Sequence, residues 1–164
     1  MLRVLVVLAI VAGCRSPEPG HKIPARARAA LEQGSGFELL SLDPAEVMLD
    51  DERVWLGPTF RGFRLLGRAP ITDPAARDRL TRTLERAADR AGDNIDLCFD
   101  PRHAIRVSVD AKPVDFVICF ECGAVETFFG DDDRPDDDQS FRILGDPDVF
   151  NAAAAVAGLP LSPD

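Results

Sequence analysis

Two alternating segments separated by a turn constrain the fold more than any other feature of the sequence. Residues 103–110 read HAIRVSVD, and residues 115–122 read DFVICFEC. In both segments every second side chain is of a type that can pack in a hydrophobic core. Successive side chains of a β-strand point to opposite faces, so each segment predicts a strand with one buried face. We expect an antiparallel hairpin with its turn at residues 110–113 and with Val107 opposite Phe116.

Other segments extend this hairpin into a sheet with helices. Strands are expected at residues 37–42, 63–71 and 123–129. Apolar positions over residues 74–91 recur at steps of three and four after a capping Asp73, which predicts one long helix with a buried stripe. Asp146 and a following proline precede a shorter alanine-rich helix that Gly158 ends. The predicted fold is α+β: an antiparallel sheet of four to five strands, with the long helix and the short C-terminal helix packed on one face.

The start of the chain has the pattern of an export signal. Residues 1–13, MLRVLVVLAIVAG, place one cation before an apolar run that is too short for a membrane-spanning helix, which needs about 20 residues. The VAGC sequence that ends at Cys14 resembles the lipobox of bacterial lipoproteins, in which the cysteine is lipidated. We therefore expect a signal peptide at residues 1–13, a flexible tether at 14–36 and a single domain at 37–164.

This resemblance implies a location in the bacterial cell envelope, with Cys14 holding the protein on the membrane. Arg15, rather than aspartate, follows Cys14. By resemblance to enterobacterial sorting, this favours the outer membrane, with the domain facing the periplasm. The formal net charge of -9 argues against nucleic acid as a partner and against attachment through a basic surface. The sequence does not identify a protein or small-molecule partner.

Cys98, His103, Cys119 and Cys122 form the main candidate cluster. Three thiolates and one imidazole would suit zinc, but residues three apart on a strand point to opposite faces. Cys119 and Cys122 could share an ion only if the chain bends between them. An exported protein favours disulfides over metal, although three cysteines leave one unpaired and the sequence does not select the pair. No cofactor is the first expectation, and zinc or thiol-redox chemistry is the alternative.

Two further features could bind ions. Arg102 and Arg106 could bind an anion, although the acidic segment at residues 130–139, GDDDRPDDDQ, is an equally good partner for them. This segment lacks the glycine and glutamate positions of an EF-hand, so a solvated acidic loop is expected, with calcium binding left open.

Four segments together resemble a family of small bacterial proteins that often carry export signals. They are FRGFRLLGRAPITDP, CFDPRHAIR, VDFVICFEC and FNAAAAVAGLPLSP, and they cover most of the chain from residue 60 onward. The resemblance implies no activity and no catalytic residue. The expected function is therefore that of a membrane-anchored envelope lipoprotein with a non-enzymatic binding or structural domain. A zinc or thiol-redox protein is the alternative.

Overall fold

A seven-stranded antiparallel sheet carries three helices in the computed structural model, which describes residues 22–46, 56–92 and 98–162. The helices are α1 (Ala25–Gln33), α2 (Pro74–Arg90) and α3 (Asp148–Val156). The strands are β1 (Ser35–Glu46), β2 (Thr59–Phe60), β3 (Phe63–Pro70), β4 (His103–Val109), β5 (Lys112–Cys119), β6 (Ala124–Phe129) and β7 (Phe141–Arg142). Their order across the sheet is β2-β3-β1-β4-β5-β6-β7.

The mixed architecture and the antiparallel sheet are as predicted, but the sheet is larger than the expected four to five strands. The additional strands, β2 and β7, are two residues long and form the two edges of the sheet. A segment of two residues has no alternation to detect, which is why the sequence pattern did not reveal them. Short edge strands also limit pairing with other chains.

The long helix α2 begins as its sequence predicts. The Asp73 carboxylate accepts hydrogen bonds from the backbone N–H groups of Ala75 and Ala76, at 3.0 and 3.2 Å, which satisfies two donors that have no partner inside the helix. Leu80 and Leu84 then bury their side chains completely. The start of α3 differs, because Pro147 occupies its capping position and no side chain caps the helix.

The two faces of the sheet are covered differently. One face packs against all three helices and forms the main core, with Leu39, Ile105 and Phe116 completely buried. The opposite face holds a smaller apolar cluster around Leu40, Val117 and the aromatic rings of β2 and β3. Strand parity assigns Ile105, Val107, Phe116 and Ile118 to the main core, and these assignments are correct. It also assigned Val109 and Cys122 to that face, but Val109 is 37% exposed and Cys122 lies beyond the end of β5.

The register of the β4–β5 hairpin differs from the predicted one by two residues. The turn contains only Asp110 and Ala111, whose φ angles are 51° and 61°. Val107 therefore lies opposite Val114, not opposite Phe116. A shift of two preserves the face of every side chain but changes its cross-strand partner.

Helix α1 lies inside the segment that was expected to be a tether. Ala27, Ala30 and Leu31 are buried against the main core, and the Lys22 side chain donates a hydrogen bond to the backbone carbonyl of Ala91. The domain therefore begins before residue 37, and residues 22–36 belong to it. Residues 1–21, including Cys14, lie outside the described part of the chain. None of the described helices has the length and apolar character needed to cross a membrane.

Candidate functional site

The chain bends between Cys119 and Cys122, as any joint role for these two residues requires. Strand β5 ends at Cys119, and the turn that follows passes through Gly123, whose φ angle is 65°. The two cysteines form a disulfide with their Cα atoms 5.3 Å apart. A Cβ atom at position 123 would lie 3.0 Å from the carbonyl oxygen of Ile143, so glycine suits this turn in both conformation and space.

Both disulfide cysteines are shielded from solvent. Cys119 is 1% exposed and Cys122 is 2% exposed. The backbone N–H of Cys122 donates to the sulfur of Cys119 at 3.0 Å, and the backbone N–H of Asp100 donates to the sulfur of Cys122 at 3.1 Å. The disulfide therefore closes the turn after β5, and a hydrogen bond from Asp100 connects it to the segment that leads into β4.

The four candidate ligands do not form one cluster. Cys98 is an exposed free thiol, whereas Cys119 and Cys122 are bonded to each other. Within residues 22–46, 56–92 and 98–162, no group of three or more His, Cys, Asp or Glu side chains is arranged to hold a metal ion. This observation covers Cys98, His103, Cys119 and Cys122, and also the acidic segment at residues 130–139.

His103 is a core residue on the helix-covered face. It is 1% exposed and packs edge-on against Phe120 and Phe150, with ring centroids 6.2 and 5.6 Å away. Its Nε2 atom has no hydrogen-bond partner among the described residues. Burial lowers the pKa of His103 from 6.5 to about 4, a hydrogen bond with Asn151 partly opposes this change, and the charge of Arg102 adds to it. The neutral imidazole is therefore the form that fits the core.

The two arginines proposed for anion binding have separate protein partners. Arg102 donates from Nη1 to the backbone carbonyl of Ser162, at 3.5 Å. Arg106 donates from Nε and Nη2 to the two carboxylate oxygens of Asp115, at 2.7 Å each. These hydrogen bonds raise the pKa of Arg106 further above its usual value. Two of the three guanidinium nitrogens of Arg106 thus bind a carboxylate inside the domain.

Asp115 has a second cationic partner that the sequence analysis did not identify. Arg61 donates from Nε to Asp115 Oδ2 at 2.8 Å, and its Nη2 lies 2.8 Å from the same oxygen. The side chain of Asp115 is completely buried and that of Arg61 is 7% exposed. We call Asp115, Arg61 and Arg106 the buried charge cluster.

Arg61 reaches this position from the two-residue turn between β2 and β3. Its φ angle is 50°, and that of Gly62 is 88°. Glycine is typical at the second position of such a turn, so Gly62 was the available sequence signal, whereas arginine at the first position is not typical. Arg61 also donates to the backbone carbonyls of Gly130, at 2.7 Å, and Asp132. One side chain therefore connects a turn, a central strand and the acidic loop.

The acidic loop is attached to the domain through its backbone as well. The N–H of Asp136 donates to the carbonyl of Thr127 at 2.7 Å, and the Asp136 carboxylate lies 3.6 Å from Arg26. Nearby, burial raises the pKa of Glu126, and the charge of Asp137 raises it further.

Comparisons with protein-family models, with curated proteins and with solved structures give no match. The family resemblance and the lipobox therefore remain predictions from the sequence, and the candidate site rests on its own geometry.

Asp115→Asn should destabilise the domain by about 3 kcal/mol, because it leaves two guanidinium groups near a neutral side chain in a largely buried site. Denaturant unfolding of both proteins measures this change. Asp78→Asn is the control, since it removes an exposed carboxylate that pairs with Arg82 at 2.8 Å, and should cost at most about 0.5 kcal/mol. Equal effects of the two substitutions would contradict a dominant role for the buried cluster.

The burial of His103 should make stability fall as the pH is lowered from about 6.5 to about 4. In this window the unfolded chain binds a proton at His103 and the folded protein does not, so acidification favours unfolding by up to about 3 kcal/mol. The measurement is the free energy of unfolding at several pH values for the wild type and for His103→Phe.

The variant should lose this component of the pH dependence, and His21→Ala should keep it. The raised pKa of Glu126 acts in the opposite direction, but it is common to all three proteins and cancels in the comparison. Identical pH profiles for the wild type and His103→Phe would show that His103 does not titrate in this way.

Proposed function

We propose that the protein is a lipid-anchored protein of the bacterial cell envelope whose domain has a non-enzymatic binding or structural role. The observation that carries this proposal is the buried disulfide between Cys119 and Cys122. Disulfides form and persist in oxidising compartments such as the periplasm and are rare in the cytosol. A shielded disulfide thus agrees with the export signal predicted at residues 1–13.

Because residues 22–36 belong to the domain, only a short segment separates Cys14 from it. Cys14 lies eight positions before Lys22, whose side chain already contacts the domain. Eight residues span at most about 28 Å when fully extended. A lipidated Cys14 would therefore hold the domain close to the bilayer. Acyl chains contribute about 0.8 kcal/mol per buried methylene, so the lipid can provide stable attachment despite the net charge of -9.

The alternative function, in zinc binding or thiol-redox chemistry, would require the disulfide to open. Zinc needs thiolates, and two of the three candidate sulfurs are bonded to each other. Thiol exchange needs access to a sulfur, whereas Cys119 and Cys122 are almost completely buried. These contacts favour a structural disulfide. The proposed location, the outer membrane facing the periplasm, rests on the lipobox resemblance and on Arg15 after Cys14.

Thiol counting distinguishes a structural disulfide from the metal and redox alternatives. Alkylation of the native mature protein should modify Cys98 alone, and alkylation after denaturation and reduction should also modify Cys119 and Cys122. Mass spectrometry of the alkylated peptides makes this measurement, with Cys98→Ser as the control that abolishes native labelling. One zinc ion per chain that is lost in Cys119→Ser would overturn the disulfide interpretation.

Membrane attachment should depend on Cys14. In an expressing bacterium, the wild-type protein should be found in the outer-membrane fraction. The Cys14→Ser variant should be found in the soluble periplasmic fraction, because no lipid can be attached to it. Cys98→Ser is a matched control that removes another thiol and should leave fractionation unchanged. If Cys14→Ser stays with the membrane, the lipid-anchor proposal is wrong.

A further inference from the structure

A cavity of about 580 Å³ lies beside the buried charge cluster, on the face of the sheet away from the helices. Its walls come from the β2–β3 turn, the exposed face of β3 and the start of the acidic loop. Its lining includes two apolar side chains and four charged ones: Phe60, Leu65, Arg68, Arg106, Asp131 and Asp133. This volume is within the range of small-molecule sites in proteins.

The cavity has opposite charges on its two sides. Arg68 on β3 is exposed and makes no ion pair or side-chain hydrogen bond within the described parts of the chain. Asp131 and Asp133 on the loop are likewise exposed and unpaired with any described residue. These groups line one cavity, yet no side-chain nitrogen of Arg68 lies within 4.0 Å, the limit for an ion pair, of a carboxylate oxygen of any described residue.

Arg106 adds a second positively charged side chain to the lining of the cavity. Its Nε and Nη2 atoms bind Asp115, which leaves Nη1 available, and its side chain is 31% exposed. Within the buried charge cluster, two guanidinium groups face one carboxylate, so one positive charge is in excess. Glu38 and Asp131 act on Arg106 electrostatically and offset part of this excess. The cavity as a whole therefore favours neither a simple anion nor a simple cation.

Both sides of the cavity are held in place by contacts inside the domain. Arg106 is fixed by two hydrogen bonds to Asp115 and stacks over Phe60 at 4.9 Å. Arg61 binds the backbone carbonyls of Gly130 and Asp132, the two neighbours of Asp131 in the chain. Because the loop and the strand are positioned before a ligand arrives, less ordering is required on binding.

We propose that this cavity binds a small zwitterion, such as an amino acid. The ligand's carboxylate pairs with Arg68 and the free Nη1 of Arg106, and its ammonium group pairs with Asp131 or Asp133. Phe60 and Leu65 contact the carbon skeleton between the two charges. A molecule that carries both charges satisfies both sides at once, whereas a singly charged molecule is repelled by one of them. This inference rests on the binding role proposed above and names a class of ligand for it. It does not depend on the lipid anchor.

Calorimetric titration of the mature protein at low salt tests the site, because salt screens exposed charges. The probes are glycine, 4-aminobutyrate and 6-aminohexanoate, which differ in charge separation, together with butyrate and butylamine, which carry one charge each. At least one zwitterion should bind 10-fold more tightly than both singly charged probes. Arg68→Ala, and separately the double variant Asp131→Asn with Asp133→Asn, should each weaken its binding at least 10-fold.

Matched controls separate this site from general surface charge. Arg79→Ala removes an exposed arginine of α2, and Asp138→Asn removes an acidic loop residue that does not line the cavity. Both should bind the zwitterion like the wild type. Thermal unfolding verifies that all variants fold, which is expected because every substituted residue is exposed. The proposal is overturned if no zwitterion binds, if butyrate binds equally well, or if the controls weaken binding as much as Arg68→Ala.

Discussion

One buried carboxylate, that of Asp115, determines how several parts of this domain are arranged. A charge without access to water must be paired, and Asp115 is paired with Arg106 on the next strand and with Arg61 from a distant turn. Through Arg61 the same pairing extends to the backbone of the acidic loop. The position of the start of the loop, and with it one wall of the cavity, therefore depends in part on the charge of a single strand residue.

Alternation in the sequence was sufficient to place side chains on the correct face, but not to find the partner of Asp115. The predicted turn was two residues too long, because alanine at position 111 gave no indication of a positive φ angle. In the observed register, Asp115 lies directly opposite Arg106. Its other partner, Arg61, is 54 residues away in the chain, and sequence spacing contains no information about such a contact.

Features that depend on tertiary packing were the ones that the sequence could not reveal. Helix α1 lies in a stretch rich in alanine and arginine whose apolar pattern is weak, and it is held by the burial of two alanines and one leucine. The cysteines illustrate the same limit. The need for a bend near residue 121 could be inferred from strand parity, whereas the choice between three possible pairs required the distance between Cys119 and Cys122.

The order of the strands has a consequence for how the chain folds as it is synthesised. Strand β1 lies between β3 and β4, so one of its edges is completed by a segment about 25 residues further along and the other only after residue 103. Until β4 emerges, the first half of the protein has an open edge on an apolar strand. The nascent protein is therefore exposed to aggregation at this edge until residues 103–109 have been made, well past the middle of the chain, and the edge needs protection until then.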